Sequence, residues 1–146
     1  MSQKMNKNND MKFRMIEMAD AAEVSVETVR YYTRQGLLIP TRDKQNNYRL
    51  FSRSELVKLK FIKRAKTLGY TIAEIKKIIH ASINKNSPCL IVREIIENRV
   101  NKNKNHINEV IALQKRMESA MQHWKHLPDA IPTGDSICYL IEQETK

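Results

Sequence analysis

Long apolar runs are missing from this chain of 146 residues. No stretch approaches the roughly 20 consecutive apolar residues of a membrane helix, and the start, MSQKMNKNND, lacks the apolar core of a secretory signal. A soluble, cytoplasmic protein with no membrane partner is expected. Cysteine is sparse, at two residues, which excludes a disulfide framework as the organising device. The three glycines form no phosphate-cradling loop. With no nucleophile elbow and no paired acid and base, an enzyme is not expected.

Acidic residues are also in deficit. The 16 aspartates and glutamates face 26 lysines and arginines, a net charge of +10 that favours a polyanionic partner. The excess is uneven: residues 1 to 80 hold 17 basic against 8 acidic side chains, and residues 81 to 146 hold 9 against 8. The first half is the one suited to meet phosphate.

Within that half, VSVETVRYYTRQGLL (residues 24 to 38) reads as the second helix of a helix-turn-helix with its exit turn. Ser25 is the N-cap, Glu27 lies where the helix dipole favours an anion, and Gly36 supplies the left-handed residue that ends the helix. Upstream, MIEMADAA (residues 15 to 22) has apolar side chains at helical spacing. Arg30, Tyr31, Tyr32 and Arg34 offer cations and hydroxyls suited to phosphates and base edges. A hairpin wing is expected next, with Asn46-Asn47 at its tip, because Asn tolerates positive φ. Ser52 with Glu55, and Thr71 with Glu74, have the spacing of capping boxes, the first opening a helix to about Leu68 and the second a helix through Ile75, Ile78 and Ile79.

The second half opens at Ser87-Pro88-Cys89, an N-cap followed by proline at the first helical position, and no further proline or glycine occurs before Pro128. An unbroken helix from Pro88 to His126 would be roughly 58 Å long, too long for one small core to cover. It needs a partner. Cys89, Ile96, Val100, Asn103, Ile107, Val110, Gln114, Met117, Met121 and Trp124 form a heptad-like seam, whose polar Asn103 and Gln114 can set register. Trp124, Met117 and Met121 are read as seam residues.

The runs MIEMADAAEVSVETVRYYTRQGLLIPTR, NNYRLFSRSEL and LKFIKRAKTLGYTIAEIKKII together resemble the winged helix-turn-helix domain of the MerR family of metal- and stress-responsive transcription regulators, over about residues 14 to 83. Several distinct segments occur in the correct order. Asn47 departs from the pattern, standing where the family usually has glycine. The resemblance implies a mainly α fold: a winged helix-turn-helix DNA-binding domain, a long antiparallel coiled-coil dimerisation helix, and a short C-terminal metal-binding loop and helix. The corresponding boundaries are a disordered tail over 1–11, the DNA-binding domain over 12–84, the dimerisation helix over 87–126 and the effector segment over 127–146.

It also implies a function. A homodimer would bind a promoter operator, with the helix from Val26 to Arg34 in the major groove. Thr28, Arg30 and Tyr31 are the candidates for bases and adjacent phosphates, with Ser25 at the helix start, while Arg34, Tyr48, Arg49 and Arg53 hold backbone. Binding of an effector would distort the promoter so that RNA polymerase engages both of its elements.

The effector reading rests on two cysteines. Thiolate selects soft ions such as Zn, Cd, Hg or Pb, and a helix N-terminus helps ionise Cys89. In one straight-helix subunit Cys89 and Cys138 would be too far apart to share an ion, whereas an antiparallel dimer places one subunit's helix start beside its partner's end. In the family, a cysteine at the start of the dimerisation helix marks sensors of divalent ions, and a C-terminal loop carries two more. The second of these falls on Cys138 and the first on or beside His126, a departure from the pattern. With His126 in place of a thiolate the site becomes Cys2His, which suits Zn or Cd; without it, two thiolates could hold Hg or an incomplete shell could use water or a carboxylate. His123 and Asp135 are reserves. Two alternatives stand beside this reading. One is a regulator of the same fold that senses oxidants, electrophiles or an organic ligand through its C-terminal half; the other is an architectural DNA-binding protein without effector. Tyr139, Leu140 and Ile141 look like a helix face able to dock onto the DNA-binding half.

Overall fold

In the computed structural model, which describes residues 11 to 144, the elements run β1 (Lys12–Arg14), α1 (Met15–Ala22), α2 (Val26–Arg34), β2 (Thr41–Arg42), β3 (Arg49–Ser52), α3 (Arg53–Thr67), α4 (Ile72–Ile83), α5 (Cys89–Trp124) and α6 (Tyr139–Glu142). The tail expected over 1–11 lies, apart from Met11, outside the described residues. Two compact units are present, Met1–Ile95 and Ile96–Lys146.

The first unit is a winged helix-turn-helix. Its fully buried side chains are Met18, Val29, Leu38, Phe51, Leu59, Ile62 and Ile75, drawn from α1, α2, the exit turn, β3, α3 and α4. Each such burial stabilises the fold by about 1.5–3 kcal/mol relative to an exposed side chain. Helical periodicity explains the selection: Leu56, Leu59, Ile62 and Ala65 recur every three residues along one stripe of α3. The turn between α1 and α2 passes through Glu23 in the left-handed region (φ 56°), and Lys63 of α3 donates to the carbonyls of Ala22 (3.2 Å) and Glu23 (3.0 Å). A cation at the end of α1 satisfies carbonyls that have no intrahelical partner.

The sheet is larger than a hairpin. Its order is β1-β3-β2, and β1 pairs antiparallel with β3 in the register Lys12↔Ser52, Phe13↔Phe51 and Arg14↔Leu50. Three residues carry too little alternation to announce a strand, so β1 was not expected; it forms because β3 offers its second edge and Phe13 sits opposite the buried Phe51. At the wing tip Asn47 has φ 60°, the left-handed geometry expected there, and Asn46 accepts from the Tyr48 amide at 3.0 Å.

One of the two expected capping boxes forms. Thr71 accepts from Glu74 N at 3.2 Å and Glu74 accepts from Thr71 N at 2.8 Å. At Ser52 the box is absent: the serine hydroxyl meets Ser54 at 2.9 Å, and Glu55 turns inward instead. There its carboxylate accepts from the Ile39 amide at 2.9 Å and pairs with Lys58 at 2.9 Å, which satisfies a nearly buried acid better than an exposed helix end would.

In the second unit the long helix continues to Trp124, two residues short of His126. No residue of α5 is buried, and Val100, Ile107, Val110, Met117 and Met121 of the expected seam are exposed. Gln114 donates to Glu118 within its own helix at 2.9 Å. Beyond the helix, Trp124 Nε1 donates to Glu144 at 2.8 Å and the Tyr139 hydroxyl bonds the Pro128 carbonyl, so the segment closes on itself. Among the described residues no helix is long and apolar enough to cross a membrane.

Candidate nucleic-acid interface and effector region

The start of α2 is built by side chains the sequence singles out. Ser25 accepts from Thr28 N at 3.1 Å, and the two hydroxyls are 2.8 Å apart, so each orients the other. Thr33 donates to the Val29 carbonyl at 2.7 Å within the helix. Val29 and Tyr32 face the core, leaving Arg30, Tyr31 and Arg34 outside. Burial, and secondarily the neighbouring Tyr31, raises the pKa of the Tyr32 hydroxyl above its ordinary value. Its structural counterpart Tyr31 is 42% exposed, its ring 5.5 Å from that of Tyr32.

Between α2 and the wing lies an open cleft of about 700 Å³ lined by Arg14, Met15, Ile16, Arg30, Arg34, Tyr48 and Arg49. Four guanidinium groups and a phenol on one concave face make a surface matched to phosphate oxygens, since the guanidinium fork binds an oxyanion through two parallel hydrogen bonds. Arg30 is ion-paired with Glu27 one turn earlier. The Arg14 guanidinium stands 5.8 Å from the centre of the Tyr48 ring, a cation–π contact that holds both at the mouth of the cleft.

Of the expected DNA-contacting residues, the cleft thus gathers Arg30, Arg34, Tyr48 and Arg49. Ser25 caps α2, and Thr28 and Tyr31 lie on it, all three outside the cleft's lining; Arg53 begins α3. Sequence reasoning missed Arg14, which reaches the cleft only because β1 pairs with β3. It also missed a second basic hollow, of about 400 Å³, where Lys60, Lys63 and Arg64 surround the turn at Ala21, Ala22 and Glu23. Their spacing on α3 was a usable signal: positions 60, 63, 64 and 67 share one helix face.

The effector residues are placed less closely. Cys89 is a free, exposed thiol at the first residue of α5, its amide 3.4 Å from the Ser87 hydroxyl. Cys138 is a free, half-buried thiol that caps α6 in an extended conformation (φ −147°). His126 is exposed in the turn after α5. Among the described residues of one chain no three His, Cys, Asp or Glu side chains cluster as metal ligands. Around Cys138 the order comes from Glu142, whose carboxylate accepts from Ile137 N at 2.5 Å, Cys138 N at 2.6 Å and the Ser136 hydroxyl at 3.3 Å. Those donors, the Ile137 amide first, hold its pKa below the ordinary carboxylate value.

Two family models match the chain: the MerR HTH family regulatory protein over residues 13–82 and the MerR DNA-binding family over residues 56–120. The mercuric resistance operon regulatory protein of Bacillus cereus is 44% identical over 69 residues, which are 47% of this chain and about half, 52%, of that protein. The HTH-type transcriptional regulator ZntR of Escherichia coli is 28% identical over 107 residues, 73% of this chain and 76% of the relative. A lead(II) complex of a transcription regulator from Ralstonia metallidurans CH34 shares the fold, with a TM-score of 0.69 at 23% identity, covering 90% of this chain and 99% of the other.

Proposed function

The chain belongs to the MerR family of helix-turn-helix regulatory proteins, and from that premise we propose that it is a homodimeric regulator that binds a promoter operator and activates transcription in response to a thiophilic divalent ion. Members of this family are DNA-binding transcriptional regulators and not enzymes. The observation that carries the DNA-binding part is the cleft of Arg14, Arg30, Arg34, Tyr48 and Arg49 between α2 and the wing. In this reading α2 enters the major groove, where Thr28, Arg30 and Tyr31 reach bases and adjacent phosphates. Ser25 orders the helix start, while Arg34, Tyr48, Arg49 and Arg53 bind backbone. Contacts of this kind position the protein, and DNA shape contributes the remaining specificity. The protein would work in the cytoplasm, where its DNA target lies.

Support for an ion as effector comes from donor chemistry and from relatives. Two free thiols are present, one at the start of α5 and one at the cap of α6, and thiolates suit Zn, Cd, Hg or Pb. Relatives are named for mercuric resistance, and a protein of the same fold is described in complex with lead(II). Cys89 of one subunit and Cys138 of the other would hold the ion, joined by His126 in a Cys2His site. The bound ion would supply a cross-link between subunits. Cys89, Cys138 and His126, by holding an ion better in one dimer conformation than in another, would bias the bound DNA toward the distorted form that RNA polymerase uses.

The test is an operator-driven transcription assay with purified dimer and each ion. Cys89→Ser and Cys138→Ser should leave operator binding within about twofold and remove the ion response. Normal induction in both variants would sink the reading.

A further inference from the structure

We infer that Glu142 is the positioning residue for Cys138, fixing the backbone on both sides of the thiol and with it the direction in which sulfur is presented. The inference rests on the proposed role of Cys138 as a ligand. It begins from an economy of the loop: one carboxylate oxygen, Glu142 Oε1, accepts from Ser136 Oγ, Ile137 N and Cys138 N at 3.3, 2.5 and 2.6 Å. The bond is returned, because Glu142 N donates to the Cys138 carbonyl at 3.1 Å.

Both backbone polar groups of Cys138 are thereby committed to a single residue. The four-residue helix between them, Tyr139–Glu142, is far too short to persist by its own hydrogen bonding. The carboxylate supplies what the helix lacks. A turn from Thr133 to Ser136, closed at 3.2 Å across Gly134 (φ 61°), delivers the Ser136 hydroxyl to the same oxygen. Loss of the outer hydrogen-bonding partners that orient metal ligands typically costs roughly 10- to 100-fold in affinity, and a carboxylate that holds the backbone of a ligand acts on orientation in the same way.

The experiment uses the full-length protein and Cd(II) alone as the probe. Wild type, Cys138→Ser, Glu142→Ala and Glu142→Gln are titrated against a competing chelator, and amide hydrogen exchange is recorded on the same proteins without ion. Glu142→Ala should bind Cd(II) at least about tenfold more weakly. At saturation it should still show the wild-type thiolate-to-cadmium absorbance, since both sulfurs remain. Exchange at Ile137 and Cys138 should quicken while amides of α2 keep their wild-type rates. Glu142→Gln retains one acceptor oxygen and should fall between wild type and Ala in both readouts; it decides the matter should the alanine variant lose α6 altogether. Wild-type affinity and exchange in the Glu142 variants, together with weakened binding in Cys138→Ser, overturn the positioning role alone. Unchanged affinity in Cys138→Ser overturns the ligand reading and this inference with it.

Discussion

The hydroxyl of Tyr70 donates to the carbonyl oxygen of Val92 at 2.8 Å, tying the connection between α3 and α4 to the first turn of α5. The ring is 4% exposed, and Cys89 lies one turn before the carbonyl it reaches. Tyr70→Phe keeps the packing and removes only the hydrogen bond, so it should cost about 0.5–1.5 kcal/mol. Tyr70→Ala should cost about 3–5 kcal/mol, because it also opens a cavity among α3, α4 and α5. Urea unfolding checks both. An equal loss in the two variants would show that the ring and not the hydroxyl is immaterial, contrary to its burial.

The arginine cleft makes a prediction about salt. Each phosphate neutralised by a basic side chain contributes about 0.9 to the slope of log affinity against log salt concentration. Arg14→Ala and Arg49→Ala should each lower that slope by about 1 and weaken operator and unrelated DNA to similar degrees. Arg14→Lys should keep most of the slope yet lose affinity, since an ammonium has neither the fork nor the same hold on the Tyr48 ring. Fluorescence anisotropy at several salt concentrations gives the answer; an unchanged slope in Arg14→Ala would remove that residue from the phosphate track.

How much of this was legible in the sequence follows from the range over which each signal acts. Ser25, Gly36, Asn47 and the Thr71–Glu74 box are local devices in which a residue type and a neighbour three or four positions away decide the outcome, and all four are in place. Glu55 fails the same local rule because a partner 16 residues away, the Ile39 amide, competes for its carboxylate. Arg14 and Lys63 act through pairings about 40 residues apart in the chain, with β3 and with the end of α1, and no periodicity encodes those. The effector residues are legible as chemistry, two thiols and an imidazole, yet among the described residues of one chain they do not come together as a ligand cluster.

Glu55 itself carries the next prediction. Its side chain is 11% exposed and holds the Ile39 amide, two residues before the wing strand β2 begins. Glu55→Ala leaves that part-buried amide without its acceptor and should destabilise the protein by about 1–3 kcal/mol. Because the lost bond lies between α2 and the wing, operator affinity should fall further than stability accounts for when measured well below the unfolding midpoint. Glu55→Gln restores an acceptor and should recover most of both. Loss of stability with full operator affinity would confine Glu55 to the core.

Tyr32 predicts an alkaline limit on the first unit. Its folded pKa lies above the ordinary value of 10.0, chiefly through burial and secondarily through Tyr31. The folded state therefore keeps the proton where the unfolded chain has begun to release it. Below the unfolded pKa both states are protonated and the stabilisation is fully present; as pH rises through 10.0 toward the folded pKa, ionisation draws the equilibrium toward the unfolded chain. Thermal unfolding of wild type should fall more steeply above pH about 10 than that of Tyr32→Phe, which has no proton to lose at this position. Parallel curves for the two proteins across that range would mean that Tyr32 ionises as freely when folded as when unfolded, and that its hydroxyl is reached by water despite the ring's place in the core.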